Sequence, residues 1–362
     1  MRTIKVLIID DSLSMRLFLK KLLAQAGDIE VIDTAPDPIA ALDLINKLKP
    51  DVLTLDVEMP NMDGLTFLAK LMRLHPMPVL MISTLTHHGT DQALKALELG
   101  AVDIVGKPST KADDMAEIAE SIIQKVRAVA AANVGTRRAP LPTITPAEEE
   151  KSALSPKRST DSVLTLNPNP PHDRPPLIAI GASTGGTEAI KHVLASLPPT
   201  LPGIVITQHL GASFIPPFAK RLDTASMITV VEAKDGMPIE PGHAYVAPGD
   251  RHLAVKWRGG KYVCSVLHGT AVNRHKPSVD VLFRSMANEV GSSAVAVILT
   301  GMGDDGAKGL LEVKTGGGLT IAEDESTCIV YGMPRMAVKL GGVKSSLPLK
   351  NIPAKINELF KP

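Results

Sequence analysis

Five short β-branched runs alternate with five amphipathic segments across residues 4–128, and no other feature restricts the fold of this chain as tightly. Residues 5–9, 30–33, 52–55, 79–82 and 102–105 have the length and composition of buried strands. Residues 15–26, 38–48, 65–74, 91–99 and 112–131 carry the apolar spacing of helices. Strict alternation predicts a parallel sheet covered on both faces, because parallel neighbours need a crossover between them.

The chemistry of this region lies at strand ends. Asp10 and Asp11 close the first strand, Asp56 the third, Thr84 follows the fourth, and Lys107-Pro108 the fifth. In an open parallel sheet the carboxyl ends face one crevice. Three carboxylates there repel one another unless a hard cation sits among them, and Mg²⁺ held by carboxylates and phosphate oxygens is the expected solution. A lysine and a hydroxyl remain to bind phosphoryl oxygens. Taken singly, an Asp at a strand end also serves as a helix cap, and Lys-Pro as a turn.

Together these residues, with the loop Met59-Pro-Asn-Met-Asp-Gly64, resemble the receiver domain of two-component response regulators over residues 1–125. The resemblance implies a flavodoxin-like (βα)5 fold with Asp56 as phosphoacceptor. Asp10, Asp11 and Asp56 would hold Mg²⁺, Thr84 would be the switch hydroxyl, and Lys107 would contact the phosphoryl group. A histidine kinase would be the phosphodonor.

Composition changes from about residue 129 to residue 176. Nine of the 29 prolines fall here with Ser, Thr, Asn and the Glu148–Glu150 acidic run, which reads as a Pro-rich flexible linker between domains 1–128 and 177–362.

Beyond it, the apolar run 177–180 enters Gly181-Ala-Ser-Thr-Gly-Gly186, and residues 187–197 have helical spacing. Ser183 therefore sits at a strand-to-helix corner, beside the unsatisfied N–H groups of a helix start. Gly181-x-Ser183-x-Gly185 fits an exposed nucleophile on a sharp turn. A glycine-rich turn after a strand also cradles phosphate, although Ser183 stands where a dinucleotide fingerprint needs its second glycine. Residues 203–209 form a second buried strand ending at His209, and 294–299 a third leading into Thr300-Gly-Met-Gly-Asp-Asp-Gly306. Four short runs between them, 228–231, 243–246, 253–257 and 262–267, read as an antiparallel section. Residues 278–290 read as an amphipathic helix.

If the three buried strands are parallel neighbours, Ser183, His209 and an Asp from the 304/305 pair meet as a Ser-His-Asp constellation. The chain order differs from that of α/β-hydrolases. A histidine at a strand end is also commonly a satisfied structural residue, and either aspartate could cap the helix after Gly306.

The motifs Gly181–Gly186, Gln208-His209, Tyr245–Leu253, Pro277–Phe283, Thr300–Gly306 and Tyr331-Gly-Met-Pro334 resemble the bacterial chemotaxis protein-glutamate methylesterase family, CheB. That resemblance implies a C-terminal doubly wound, mostly parallel α/β esterase domain. It implies Ser183, His209 and Asp305 as the triad, with Thr184 and Met302 lining the site and offering oxyanion N–H groups. It implies demethylation of methyl-glutamates on chemoreceptors, deamidation of receptor glutamines, and gating by the receiver. Thr187 stands where a proline is common, and Leu210-Gly-Ala-Ser213 replaces the usual Met-Pro-type continuation. The rival is a receiver joined to a non-enzymatic module that binds a nucleotide or a partner.

Composition limits the partners. With 39 basic and 38 acidic residues and 3% aromatics, neither a global field nor a stacking platform favours nucleic acid. Two cysteines give no disulfide framework and no zinc spacing. The start, Met-Arg-Thr-Ile-Lys, shows no signal peptide, and no apolar run reaches about 18 residues. A cytoplasmic, monomeric protein without membrane insertion is expected.

Overall fold

The structure, a computed structural model, describes residues 3–60, 62–107, 115–134 and 157–361. Asn61, Pro108, residues 112–114 and the linker stretch 135–156 lie outside the described residues. Contacts divide the chain into two compact units, Met1–Ser155 and Pro156–Pro362.

The first unit alternates β1 (Ile4–Ile9), α1 (Leu13–Leu23), β2 (Ile29–Ala35), α2 (Pro38–Leu48), β3 (Val52–Asp56), α3 (Gly64–Leu74), β4 (Val79–Ser83), α4 (His87–Glu98), β5 (Asp103–Gly106) and α5 (Met115–Ala130). The strands pair in parallel in the order β2-β1-β3-β4-β5, the flavodoxin-like arrangement with its switch point between β1 and β3. Every residue of β3 and β4 is buried, so these central strands lack alternation, while the edge strand β2 is partly exposed. Helix α4 begins one turn earlier than its apolar spacing predicts. Thr86 caps it by accepting the Gly89 N–H at 3.1 Å, so Gly89 lies inside the first turn.

The second unit holds seven parallel strands in the order β14-β13-β12-β6-β7-β9-β8. These are β6 (Leu177–Ala182), β7 (Ile204–Gln208), β8 (Thr229–Glu232), β9 (His243–Val246), β12 (Ala294–Ile298), β13 (Leu319–Glu323) and β14 (Ser345–Leu347). A separate antiparallel pair comprises β10 (His252–Arg258) and β11 (Lys261–Leu267). The antiparallel section is therefore half the size expected from sequence. Runs 228–231 and 243–246 become β8 and β9, which pair in parallel at the sheet edge. The Gly- and Pro-rich stretch between them resembles a hairpin turn but runs as a crossover, with Ile239 N–H bonded to Tyr262 O on the other sheet.

Helices α6 (Gly186–Ala195), α7 (Ile215–Ala225), α8 (Val279–Glu289), α9 (Ala307–Thr315), α10 (Met333–Lys339) and α11 (Ile352–Leu359) cover the large sheet. Helix α8 is buried from Val279 to Ala287, with β6 and β12 on one side and the β10–β11 pair on another. A helix buried on most of its circumference must pair its polar side chains inside the protein, and the start of this one anchors Asp305. Residues 157–176, assigned by composition to the linker, run along this unit. Asn167 N–H donates to Asn288 Oδ1 at 2.7 Å, and Arg284 Nη1 donates to Asp161 at 2.6 Å. A polar, Pro-rich segment cannot fold alone, but it needs only side-chain partners on a neighbouring surface to become fixed. No helix among the described residues is long and apolar enough to cross a membrane.

Candidate active site and phosphoacceptor site

The serine turn sits where β6 ends, at the switch point between β6 and β12. Both faces of β6 are covered, which explains its unbroken apolar sequence. Gly185 then adopts φ +78, in the left-handed region that favours glycine, and α6 begins at the next residue. Ser183 is fixed by its backbone from both sides. Its N–H donates to Thr300 O beyond β12 at 3.0 Å, and its carbonyl accepts Gln208 Nε2 of β7 at 2.8 Å. A Cβ at Gly301 would lie 2.7 Å from Ser183 Cβ, so the β12 loop presses directly on the serine.

His209 follows β7, its N–H bonded to Ala182 O at 3.2 Å, and thus stands beside Ser183. Ser183 and His209 are each buried apart from about 8% of their surface. His209 Nε2 lies 2.9 Å from Asp305 Oδ2, and its Nδ1 has no hydrogen-bond partner. No hydrogen bond ties the serine hydroxyl to the ring. His275 stacks on His209 at a centroid distance of 3.8 Å and an interplanar angle of 10°.

Asp305 follows β12 and is surrounded by donors. Oδ1 accepts from Ser278 Oγ at 2.7 Å, Asn273 Nδ2 at 2.8 Å and Asp280 N–H at 3.3 Å, while Oδ2 also accepts Val279 N–H at 2.7 Å. Burial works to raise this carboxyl, but His209, aided by His275 and Asn273, holds it well below the usual carboxylate range. Asp280, also buried, behaves oppositely. Burial and the neighbouring Asp305 charge push it up to about 8, so near neutral pH the negative charge of the pair resides on Asp305. Asn273 Nδ2 bridges the two, lying 2.6 Å from Asp280 Oδ2. His252 supports the cluster from behind. Its Nδ1 accepts Ser278 N–H at 3.1 Å and its Nε2 faces Thr270 O at 3.0 Å, and burial pushes it down, so it stays neutral.

Asp304, the other member of the pair, turns outward to Lys157, and neither aspartate caps α9 with its side chain. Thr184 is buried, with its carbonyl accepting Thr300 Oγ1 at 3.0 Å. Met302 lies on the same β12 loop, and no backbone hydrogen bond satisfies its N–H among the described residues. Asn273, His275, Ser278, Asp280 and His252 carried no signal as site residues. Their nearest sequence cues are the Pro277–Phe283 motif and, for His252, the Tyr245–Leu253 motif.

The second centre lies at the carboxyl edge of the first unit. Asp10 and Asp56 are buried while Asp11 is exposed, and ligand oxygens of the three lie within 4.8 Å of one another. Lys107 Nζ sits 2.6 Å from Asp56 and 3.0 Å from Asp10. Burial pushes Asp56 up to about 6 against the opposing pull of Lys107. One lysine beside three carboxylates leaves an excess of hard anionic oxygens, a donor set that fits Mg²⁺. Thr84 is not bonded to Asp56; its hydroxyl is 3.3 Å from Thr86 Oγ1 and 3.5 Å from Glu58. A Cβ at Gly64 would come 2.0 Å from Asp56 O, so the loop after the aspartate can close only over a glycine.

Residues 178–356 match the CheB methylesterase family and residues 6–120 the response regulator receiver domain. The chain is 48% identical to a protein-glutamate methylesterase/protein-glutamine glutaminase of Hydrogenovibrio crunogenus, with 100% of each covered. A Ralstonia nicotianae protein of the same name is 50% identical, covering 97% of this chain and 94% of that one. Among solved structures, the Thermotoga maritima CheB methylesterase catalytic domain is 41% identical with a TM-score of 0.50, over 51% of this chain and 98% of that one. With both regions matched in order and relatives aligned end to end, this chain belongs to the CheB methylesterase family and carries a response regulator receiver domain before its catalytic domain.

Proposed function

We propose that this enzyme is a phosphorylation-gated serine hydrolase that demethylates methyl-glutamates of chemoreceptors and deamidates particular receptor glutamines. The observation that carries the reading is the His209 ring. One nitrogen is tied to an ionised, buried carboxylate, and the other is unpartnered beside a strand-end serine. Nε2 must carry its proton toward Asp305, which leaves Nδ1 as the base.

Ser183 Oγ attacks the γ-ester carbonyl while its proton passes to His209 Nδ1. The oxyanion accepts from the N–H groups of Thr184 and Met302. Collapse expels methoxide, which takes the proton from Nδ1 and leaves as methanol. Water, deprotonated by the same nitrogen, then attacks the acyl-serine and restores glutamate and the free hydroxyl. An amide presents the same electrophile and releases ammonia instead.

In the receiver, Asp56 accepts the phosphoryl group from a histidine kinase. When bound by Asp10, Asp11 and Asp56, Mg²⁺ supplies neutralisation of the transferred charge. Lys107 exchanges its bond to the Asp56 carboxylate for one to a phosphoryl oxygen, and Thr84 rotates toward that group. The protein works in the cytoplasm, as a monomer.

The test is methanol release from a methylated receptor fragment, with and without a small-molecule phosphodonor. Release that rises with the donor in wild type and not in Asp56→Asn is the expected result. No release under either condition would leave the non-enzymatic binding module as the better reading.

Asp56→Asn has a second expected consequence. The carboxyl is raised from 3.8 to about 6, so the folded state binds its proton more tightly than the unfolded chain does. Receiver stability therefore falls as pH rises through that window and stays lower above it. Removing the charge stabilises the receiver at pH 7.5 by on the order of 3 kcal/mol, read as a higher thermal midpoint that converges with wild type near pH 4. Gly301→Ala drives a methyl group against Ser183 and Met333. Methanol release should fall by about 100-fold with the fold retained, because small displacements of a nucleophile are costly.

A further inference from the structure

The chain enters the second unit beside the residue that orients the base. Lys157 Nζ lies 2.6 and 2.5 Å from the two carboxylate oxygens of Asp304, immediately before Asp305. The carbonyl of Arg158 accepts Asn273 N–H at 3.0 Å, and the Asn273 side chain is one of the donors to Asp305. Asp161 bonds Arg284 Nη1 at 2.6 Å, and the same nitrogen donates to Leu164 O at 3.0 Å. Arg284 in turn forks onto Glu312 of α9, the helix that starts two residues after Asp305.

These contacts are not those of a slack tether. Thr160–Ser162 form a turn of 3-10 helix, and Thr160 is buried. The loop it holds is strained. Asn273 and Arg274 adopt φ of +51 and +68, conformations that non-glycine residues keep only where the surroundings enforce them. The Arg158 carbonyl supplies one such enforcing bond. Residues 157–164 thus grip the catalytic acid from three directions: the residue before it, the helix after it, and the loop that donates to it.

We propose that residues 157–164 form a positioning strap for Asp305. The proposal rests on the reading of Ser183, His209 and Asp305 as that triad. A bare surface ion pair between Lys157 and Asp304 would contribute little to stability and nothing to turnover. A strap alters turnover, because the acid is displaced relative to the base when its anchor is lost.

The experiment uses the full chain with phosphodonor and a methylated receptor fragment, comparing wild type, Lys157→Glu, Asp304→Lys and the double charge swap. Each single variant should lower kcat by about tenfold with KM and thermal midpoint unchanged, and the swap should restore kcat to within about twofold. A Lys157→Glu enzyme with wild-type kcat, or a swap whose loss is the product of the two single losses, overturns the strap. Ser183→Ala runs beside them. Methanol release that stays within about tenfold of wild type in that variant would overturn the triad reading, and the strap with it.

Discussion

Ser183→Ala is expected to lower methanol release by about 10⁴-fold or more at saturating substrate. The loss is large because the variant keeps a base with no hydroxyl to activate. Substrate binding and the Thr184 and Met302 N–H groups, which still receive an oxyanion, leave a residual rate above solution hydrolysis that does not need the base. Stability should barely change. The hydroxyl is not bonded to the ring, while the contacts that hold residue 183 in place come from its backbone. A thermal midpoint within a degree or two of wild type, together with the collapsed rate, is the expected pair of results. The double variant Ser183→Ala/His209→Ala should be no slower than the single one, since residues that act as a unit are not additive. A Ser183→Ala enzyme within tenfold of wild type would remove the serine from the chemistry.

Asp305→Asn should reduce kcat by about 10⁴-fold, an effect of the size known when the acid of a Ser-His-Asp triad becomes an amide. The reason here is specific to the donor count. Asp305 accepts from His209, Val279, Asn273, Ser278 and Asp280, and it makes no donation. An asparagine NH₂ placed among those donors can only oppose them. If it faces His209, Nε2 must give up its proton and become an acceptor, which moves the ring proton to Nδ1. The nitrogen that should take the serine proton then already carries one. Substrate affinity should hold, because Asp305 is fully enclosed and touches no substrate, so the loss falls in kcat and not in KM. A fall confined to KM would contradict this account.

Much of this arrangement was legible in the chain, for reasons visible in particular residues. Asp10, Asp56, Ser183, His209 and Asp305 each come at or after the end of a buried β-branched run, and strand ends are local features that short apolar runs and punctuation reveal. Parallel pairing then gathers such ends without further information. The order β2-β1-β3-β4-β5 is one of only a few arrangements that alternation and chirality allow. Less legible were features that depend on what stands opposite. The stretch 228–246 carries hairpin punctuation, yet β8 and β9 run parallel because the sheet edge beside β7 accepts them that way. Thr84 has the right place after β4, but its hydroxyl rotamer is chosen by Thr86 and Glu58. The segment 157–176 has linker composition, and partners on the folded unit, Asn273, Arg284, Asn288 and Asp304 among them, fix it in place.

Local pattern along the chain was enough for the two α/β units and for the strand termini at which the candidate nucleophile and phosphoacceptor stand. Each of these depends on short-range information: which residues are apolar, where glycine permits a turn, and which side chain stands just past a strand. Packing alone decided which nitrogen of His209 is left as the base, which aspartate of the 304/305 pair is buried, and that Asn273, Ser278 and Asp280 surround it. His209 and Asp305 are 96 positions apart, and bonds across such separations depend on how whole elements pack. That His209 and its neighbours hold Asp305 strongly acidic against its burial, while burial and the Asp305 charge leave Asp280 reluctant to ionise, is a property of the packed core, because desolvation and the charges of neighbours exist only once the elements have met.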